Sequence, residues 1–278
     1  MGMIVIGLVL LAGLFHAIWH VRVKTSQDCL ANLFGIHLFS GSLGIMLVFF
    51  VEIPDSKIFM ILFLSVVLHV VYKFALSYMY RFSEISQTFP FARGTAPLVA
   101  LLISIFLIHL DAHRYSIYGS LLISFGLMFL ISERKLSHSY KSILTAMCIG
   151  LLIGVYTVVD GIGSKLSNNW LSYVAWLFLL DSMVFLLLTR LVRGSEIWGK
   201  INQYKYEYIM SGIIACFSYG VFLWALHLGA IGVIAALREV SVIFVVILSA
   251  LFLGEKLTKV RLTSATCVFT GILLISMK

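Results

Sequence analysis

The sequence predicts an all-α polytopic membrane protein whose ten transmembrane helices form two inverted five-helix repeats. Three observations predict it. Of the 278 residues 61% are hydrophobic and only 12% charged, with a mean hydropathy of +1.06, a balance foreign to soluble domains. Ten apolar stretches follow one another, most near the ~20 residues that cross a ~30 Å hydrocarbon core. Shifting the chain by 145 residues lays Arg93 on Arg238, Ser104 on Ser249 and Gly126 on Gly271. The same layout recurs around each match: an early charge, a long apolar run, a polar break, a second apolar run.

The expected spans are 3–21, 31–51, 58–80, 86–109, 114–132, 142–164, 170–189, 206–228, 232–253 and 260–277. Each must be helical, because lipid offers no partner to an unpaired backbone group. The first run lacks a basic start and a small-residue cleavage site, so it reads as a retained helix rather than a signal peptide. The joins are short, which makes neighbouring helices antiparallel. The longest, from about Arg190 to Lys205, reads as a basic loop.

Five spans per half make the halves enter the membrane in opposite directions, as in many alternating-access transporters. Residues 1–132 form the expected first repeat, 133–141 (ERKLSHSYK) a basic linker, and 142–278 the second repeat. Of the 20 Lys and Arg, 13 fall in joins on one side and 4 on the other; Lys73, Arg93 and Arg238 lie inside spans. The positive-inside rule then places both termini outside the cytoplasm of a bacterial-type inner membrane. The net charge of +8 is accounted for by topology and anionic lipid head groups, not by nucleic acid.

LREVSVIFVVILSALFLGEKLT, followed by a glycine-containing last helix, resembles the end of an EamA-type repeat of the drug/metabolite transporter superfamily. FARGTAPLVALLISIFL with YGSLLISFGLMFLIS is similar in the first half, and GLFHAIWHVRVK resembles the family's first helix. The resemblance spans nearly the whole chain through loose motifs. It implies a ten-helix permease whose substrate path is lined mostly by helices 1, 3, 4, 6, 8 and 9. The family's well-studied members usually keep both termini inside, against the charge count.

Ionisable groups inside spans are costly and therefore candidates for function. His69, Tyr72, Lys73, Leu76 and Tyr80 fall on one face of the third span. Tyr72, Lys73 and Tyr80 are candidate substrate ligands, with snorkelling of Lys73 as the alternative. Arg93 and Arg238 lie roughly six residues into their spans, about 9 Å deep. Either they line the path or they pair with carboxylates or freed carbonyls. Glu239 lies ~100° round the helix from Arg238 and needs a partner elsewhere. Pro97 removes the amide that would bond the Arg93 carbonyl, which allows a kink.

In the sixth span Tyr156 and Asp160 are one turn apart. Asp160 precedes Gly161-Ile162-Gly163, so it either caps a frayed end or acts as a proton-titrating carboxylate or a counter-charge to Lys73 or an arginine. Gly150 and Gly154 read as a close helix-packing pair. His16 and His20 stand at i,i+4 around Trp19. That spacing suits two metal ligands, but no third is evident, so metal and cofactors are not expected; cavity lining, proton exchange or packing are. Trp19, Tyr156, Tyr219 and Trp224 offer aromatic surface, either to an organic solute or to the core. Asp181 interrupts the seventh span, outside the helices the resemblance assigns to the path, and is expected to pair with a neighbouring helix.

Four cysteines show no paired ligand spacing, and HExxH, GxSxG and Walker motifs are missing. The expectation is a non-enzymatic secondary transporter of a small polar metabolite, an amino acid or other anionic or zwitterionic compound. Substrate ligands are Trp19, Tyr72, Lys73, Tyr80, Arg93, Tyr156, Tyr219 and Arg238. His16, His20, Asp160 and Glu239 balance charge or carry protons, the candidate coupling ion. Membrane lipids surround it, and a monomer suffices. The alternatives are a flippase for a lipid-linked substrate, an organic-cation permease, and a scaffold whose charges are all internally paired.

Overall fold

The computed structural model describes residues 3–79, 85–106, 114–129, 132, 140–253 and 258–277. Within the helices it describes side chains except at 3, 24–25, 85–91, 140, 142, 245–246, 249–253 and 276. Every regular element among the described residues is helical: α1 Met3–Thr25, α2 Cys29–Val48, α3 Ser56–Met79, α4 Ile85–Phe106, α5 Arg114–Phe129, α6 Tyr140–Leu166, α7 Trp170–Arg193, α8 Glu196–Gln203, α9 Lys205–Leu228, α10 Ile231–Arg238, α11 Val240–Leu253 and α12 Lys259–Ser276. Six of them (α1, α2, α3, α6, α7 and α9) are long and apolar enough to cross a membrane. Tyr80, most of the expected linker and the Gly254–Lys256 break lie outside the described residues.

Among the described residues twelve helical segments stand where ten spans were expected, for two reasons. The join after α7 is not a plain basic loop: it holds α8, whose Ile197 and Ile201 are buried at i,i+4 beneath a charged outer face. Trp198 of α8 packs edge-on against Phe34, with ring centroids 5.5 Å apart. The ninth expected span is broken at Glu239. There the Glu239 amide donates to the Ala236 carbonyl, and the Val242 amide to that of Glu239, both at 3.0 Å. These i→i−3 bonds tighten the backbone where α10 gives way to α11. By contrast α4 runs unbroken past Pro97.

Local sequence explains several helix ends. Asp28, Asp55 and Asn169 accept from the amides of Ala31, Ile58 and Leu171 at 3.1, 2.8 and 2.9 Å, capping the starts of α2, α3 and α7. Gly194, with φ of 64°, closes α7. Asp160 caps nothing: α6 continues through it to Leu166.

The helices pack α1 against α9, α10 and α11; α3 against α6 and α7; α2 against α7 and α9; α4 against α5 and α6; and α5 against α12. Gly150 and Gly154 are packing residues of the α4–α6 contact. A Cβ on Gly150 would stand 2.6 Å from the Ala92 carbonyl, and one on Gly154 2.5 Å from the Val99 Cβ. In the α5–α12 contact, Cβ atoms on Gly119 and Gly271 would stand 2.5 and 2.6 Å from each other's residue carbonyls. One on Gly126 would stand 3.3 Å from the Ser264 carbonyl. The 145-residue shift carries Gly119 to Ser264 and Gly126 to Gly271, so one of these contacts is the image of the other.

Candidate functional site

A cavity of about 110 Å³ opens between α1, α2, α3, α6, α7, α9 and α10. Most of these helices supply a polar group where the span would otherwise be apolar: His16 from α1, His37 from α2, Lys73 from α3, Asp181 from α7, Arg238 from the last turn of α10. The aromatic wall is Trp19, Tyr72, Tyr156, Phe178 and Tyr219. Trp19 donates through Nε1 to His16 Nδ1 at 3.2 Å, which orients both groups. Tyr72 and Tyr156 have ring centroids 5.6 Å apart.

The three intramembrane cations are treated differently. Lys73 Nζ donates to both carboxylate oxygens of Asp181, at 2.6 and 2.5 Å, and lies 4.9 Å from the Phe185 ring centroid. His37 Nδ1 is 3.8 Å from the same carboxylate and 3.2 Å from Ser182 Oγ. Arg93 does not reach the cavity. Its Nε lies 3.0 Å from Glu239 Oε2 and its NH2 donates to Ser241 Oγ at 3.1 Å. Arg93 is 2% exposed and Glu239 1%, so their pairing is what makes either burial tolerable.

Arg238 is in the cavity wall and, among the described residues, has no carboxylate at ion-pair distance. Its guanidinium carbon sits 4.1 Å above the Phe222 ring centroid, and the Tyr156 phenol lies beside it. Its Nε has no hydrogen-bond partner. A guanidinium over an aromatic face keeps nitrogen donors to offer to a carboxylate or phosphate.

Asp160 makes no direct ion pair with Lys73 or with an arginine among the described residues. It is 0% exposed and lies behind the cavity wall. Ser65 and Tyr173 donate to Oδ1, Tyr173 at 2.9 Å; Tyr219 donates to Oδ2, which His69 Nε2 meets at 3.0 Å. His69 and Tyr219 both line the cavity and lie 3.0 Å apart.

The residues expected to contact substrate therefore divide. Trp19, Tyr72, Lys73, Tyr156, Tyr219 and Arg238 meet at the cavity together with His16. Arg93 and Glu239 form an ion pair apart from it, and His20 is buried against Trp19 with ring centroids 3.8 Å apart. Further residues belong to the wall that the sequence does not assign to the site, among them Asp181, His37 and His69. Asp181 is legible as an intramembrane carboxylate and does pair with a neighbouring helix, but it does so inside the cavity wall. His37 is a lone histidine in an apolar run, and nothing in its neighbourhood announces its role. Compared with the path the resemblance implies, α2 and α7 join the wall, and no described side chain of α4 lines it.

A membrane-embedded helical bundle enclosing a charged, aromatic-walled cavity has the build of a solute transporter. The family follows: residues 140–277 match the EamA-like transporter family, and the chain belongs to that family, part of the drug/metabolite transporter superfamily. It is thus a multi-pass membrane protein of a class that carries small solutes. One solved structure, titled only as a crystal structure of a protein, is 14% identical, covers 99% of this chain and 96% of its own, and superposes with a TM-score of 0.73. At that identity the likeness shows the shared fold. No curated protein matches the chain in sequence.

Proposed function

We propose that the chain is a secondary transporter that moves a small anionic or zwitterionic organic solute by alternating access. The carrying observation is Arg238: a buried guanidinium facing a cavity and, among the described residues, without a carboxylate at ion-pair distance. Lys73 is already neutralised by Asp181, which leaves Arg238, among the described residues, as the cavity cation with no carboxylate at ion-pair distance. An incoming carboxylate or phosphate group satisfies it, while the aromatic wall takes the solute's body. A zwitterion adds its ammonium group to the Asp181 end. The volume is near that of an engineered cavity of ~150 Å³ that takes benzene, so the solute is ring-sized.

Two inverted five-helix repeats are the proposed moving parts. The paired α5–α12 contacts related by the 145-residue shift support this, as do the matched packings of α4 on α6 and α11 on α1. In this reading α1–α5 form one repeat, α6, α7 and α9–α12 the other, and α8 is an added interfacial helix. The lysine and arginine excess orients both termini outside the cytoplasm of an inner membrane, and a single chain completes the core. The scaffold alternative required all charges to be paired and no cavity, and neither condition holds among the described residues.

A thermal-shift screen in detergent tests the proposal, because a ligand of the folded state raises its apparent stability. Benzoate, alanine, glucose 6-phosphate and choline are the probes, on wild type and Arg238→Ala. The expected result is stabilisation by an anion or zwitterion that the variant loses. Stabilisation by choline alone, unchanged in the variant, would replace the anion site with a cation site built on Asp181 and the aromatics.

A further inference from the structure

The buried carboxylate Asp160 is unexplained by solute binding, since it lies behind the wall. We propose that His69 and Asp160 form a proton site that loads when an organic anion enters the cavity, so that one proton travels with each anion. The inference rests on the anionic reading above.

A buried site in a membrane tolerates little net charge. Lys73 pairs with Asp181 and Arg93 with Glu239. With the histidines neutral, the described charges around the cavity that remain are Arg238, positive, and Asp160, negative. Tyr156 and Tyr219 each lie near both of them, so the two opposite charges share one neighbourhood. An anion bound by Arg238 cancels the cation and leaves Asp160 uncompensated. Taking up one proton restores neutrality.

Geometry supplies the route. His69 is part of the cavity wall, its ring 4.1 Å from that of Tyr156 between centroids, and its Nε2 touches both Asp160 and Tyr219 at 3.0 Å. Cavity water gives a proton to the imidazole. The pair then holds it either as imidazolium and carboxylate or as imidazole and carboxylic acid. Only N–H and O–H bonds are made and broken, and solvent supplies and recovers the proton. Ser65 and Tyr173 continue to donate to Oδ1 in either form.

Among the described residues, Tyr173 and Tyr219 touch Asp160 as donors, and no second carboxylate lies at ion-pair distance from His69. From α3 the other charged group is Lys73, and from α7 it is Asp181, and these two satisfy each other. His37 of α2 turns to Asp181 and Ser182. From α9, His227 lies at the Ser164 carbonyl, 2.6 Å away, and from α10 the facing charge is Arg238. Arg93 of α4 is held by Glu239. Position matters too: Tyr173 is in the first turn of α7, and Asp160 lies about one and a half turns before the end of α6. The pair therefore sits between the cavity and the membrane face where α6 and α7 join, where a proton can leave once the helices rearrange.

Calorimetric titration of benzoate into the detergent-purified protein, in two buffers of different ionisation heat at one pH, tests the inference. Proton uptake of about one per benzoate is expected for wild type. Alanine, which brings no net charge, is expected to bind without uptake. Asp160→Asn, a permanently neutral stand-in, is expected to bind benzoate with no uptake; if it does not fold, Asp160→Ser takes its place with the same expectation. Benzoate binding with a buffer-independent heat in wild type overturns the coupling alone, as does uptake unchanged in the folded variant. Benzoate that fails to bind wild type, or binds Arg238→Ala equally well, removes the anion site and the coupling with it.

Discussion

Arg93 and Arg238 occupy equivalent positions when the chain is aligned on itself, yet one is neutralised and the other is open. The difference lies in the residues just C-terminal to each. After Arg238 come Glu239 and, three positions beyond the arginine, Ser241; after Arg93 the matching residues are Gly94 and Ala96. Arg93 takes Glu239 and Ser241 of the second half as its partners. The mirror-image partners of Arg238 would be Gly94 and Ala96, and neither has a side chain able to bond it. Nor is Gly94 free to grow one, since its Cβ would come within 2.9 Å of Met128 Cγ and 3.1 Å of the Ser124 carbonyl. The site thus stands where the internal likeness of the halves fails.

The contrast between the arginines is broken most visibly at Glu239. Glu239→Ala strands the Arg93 guanidinium in a dry interior and is expected to cost about 3–5 kcal/mol, read from denaturant unfolding in detergent. Arg93→Met with Glu239→Leu removes both charges and should restore most of that loss. If the single change costs no more than the double, the pair is not what stabilises the contact. Lys73→Ala comes next. It leaves Asp181 unpaired in a cavity wall that water reaches, and an expected loss of about 2–3 kcal/mol, softened by that hydration, is checked by the same unfolding measurement. Asp181→Ala added to it should recover stability.

Arg238→Ala should behave in the opposite way. With no directly paired carboxylate left behind, stability is expected to fall by less than about 1 kcal/mol, while benzoate affinity, measured by calorimetry, falls about tenfold to a hundredfold. Equal stability losses at Glu239 and Arg238 would erase the distinction between the two arginines. The smallest effect belongs to Tyr156→Phe, which removes the phenol beside Arg238 and should weaken benzoate about threefold without changing its stoichiometry.

Much of this was legible in the residues. Gly150 and Gly154 announced a close helix contact, and Arg238 and Lys73 announced themselves by being charged inside apolar runs. The pairings were not legible. Arg93 finds its carboxylate 146 positions later, and Asp160 finds its four donors on three other helices. The break at Glu239 was hidden as well, since 232–253 reads as a continuous apolar helix. Pro97, the stronger local breaker, leaves α4 unbroken. The short α8 was missed because its apolar face is only two isoleucines and a tryptophan among charged residues.

The sequence by itself determined the membrane class, the helical state of the spans and the family resemblance. These depend on quantities that sum along the chain: apolar length, the lack of backbone partners in lipid, and the order of motifs. Tertiary structure alone decided which buried charges cancel and which one faces a cavity. Ion pairing and desolvation depend on separations of a few ångströms between helices far apart in sequence, and no local pattern encodes those separations.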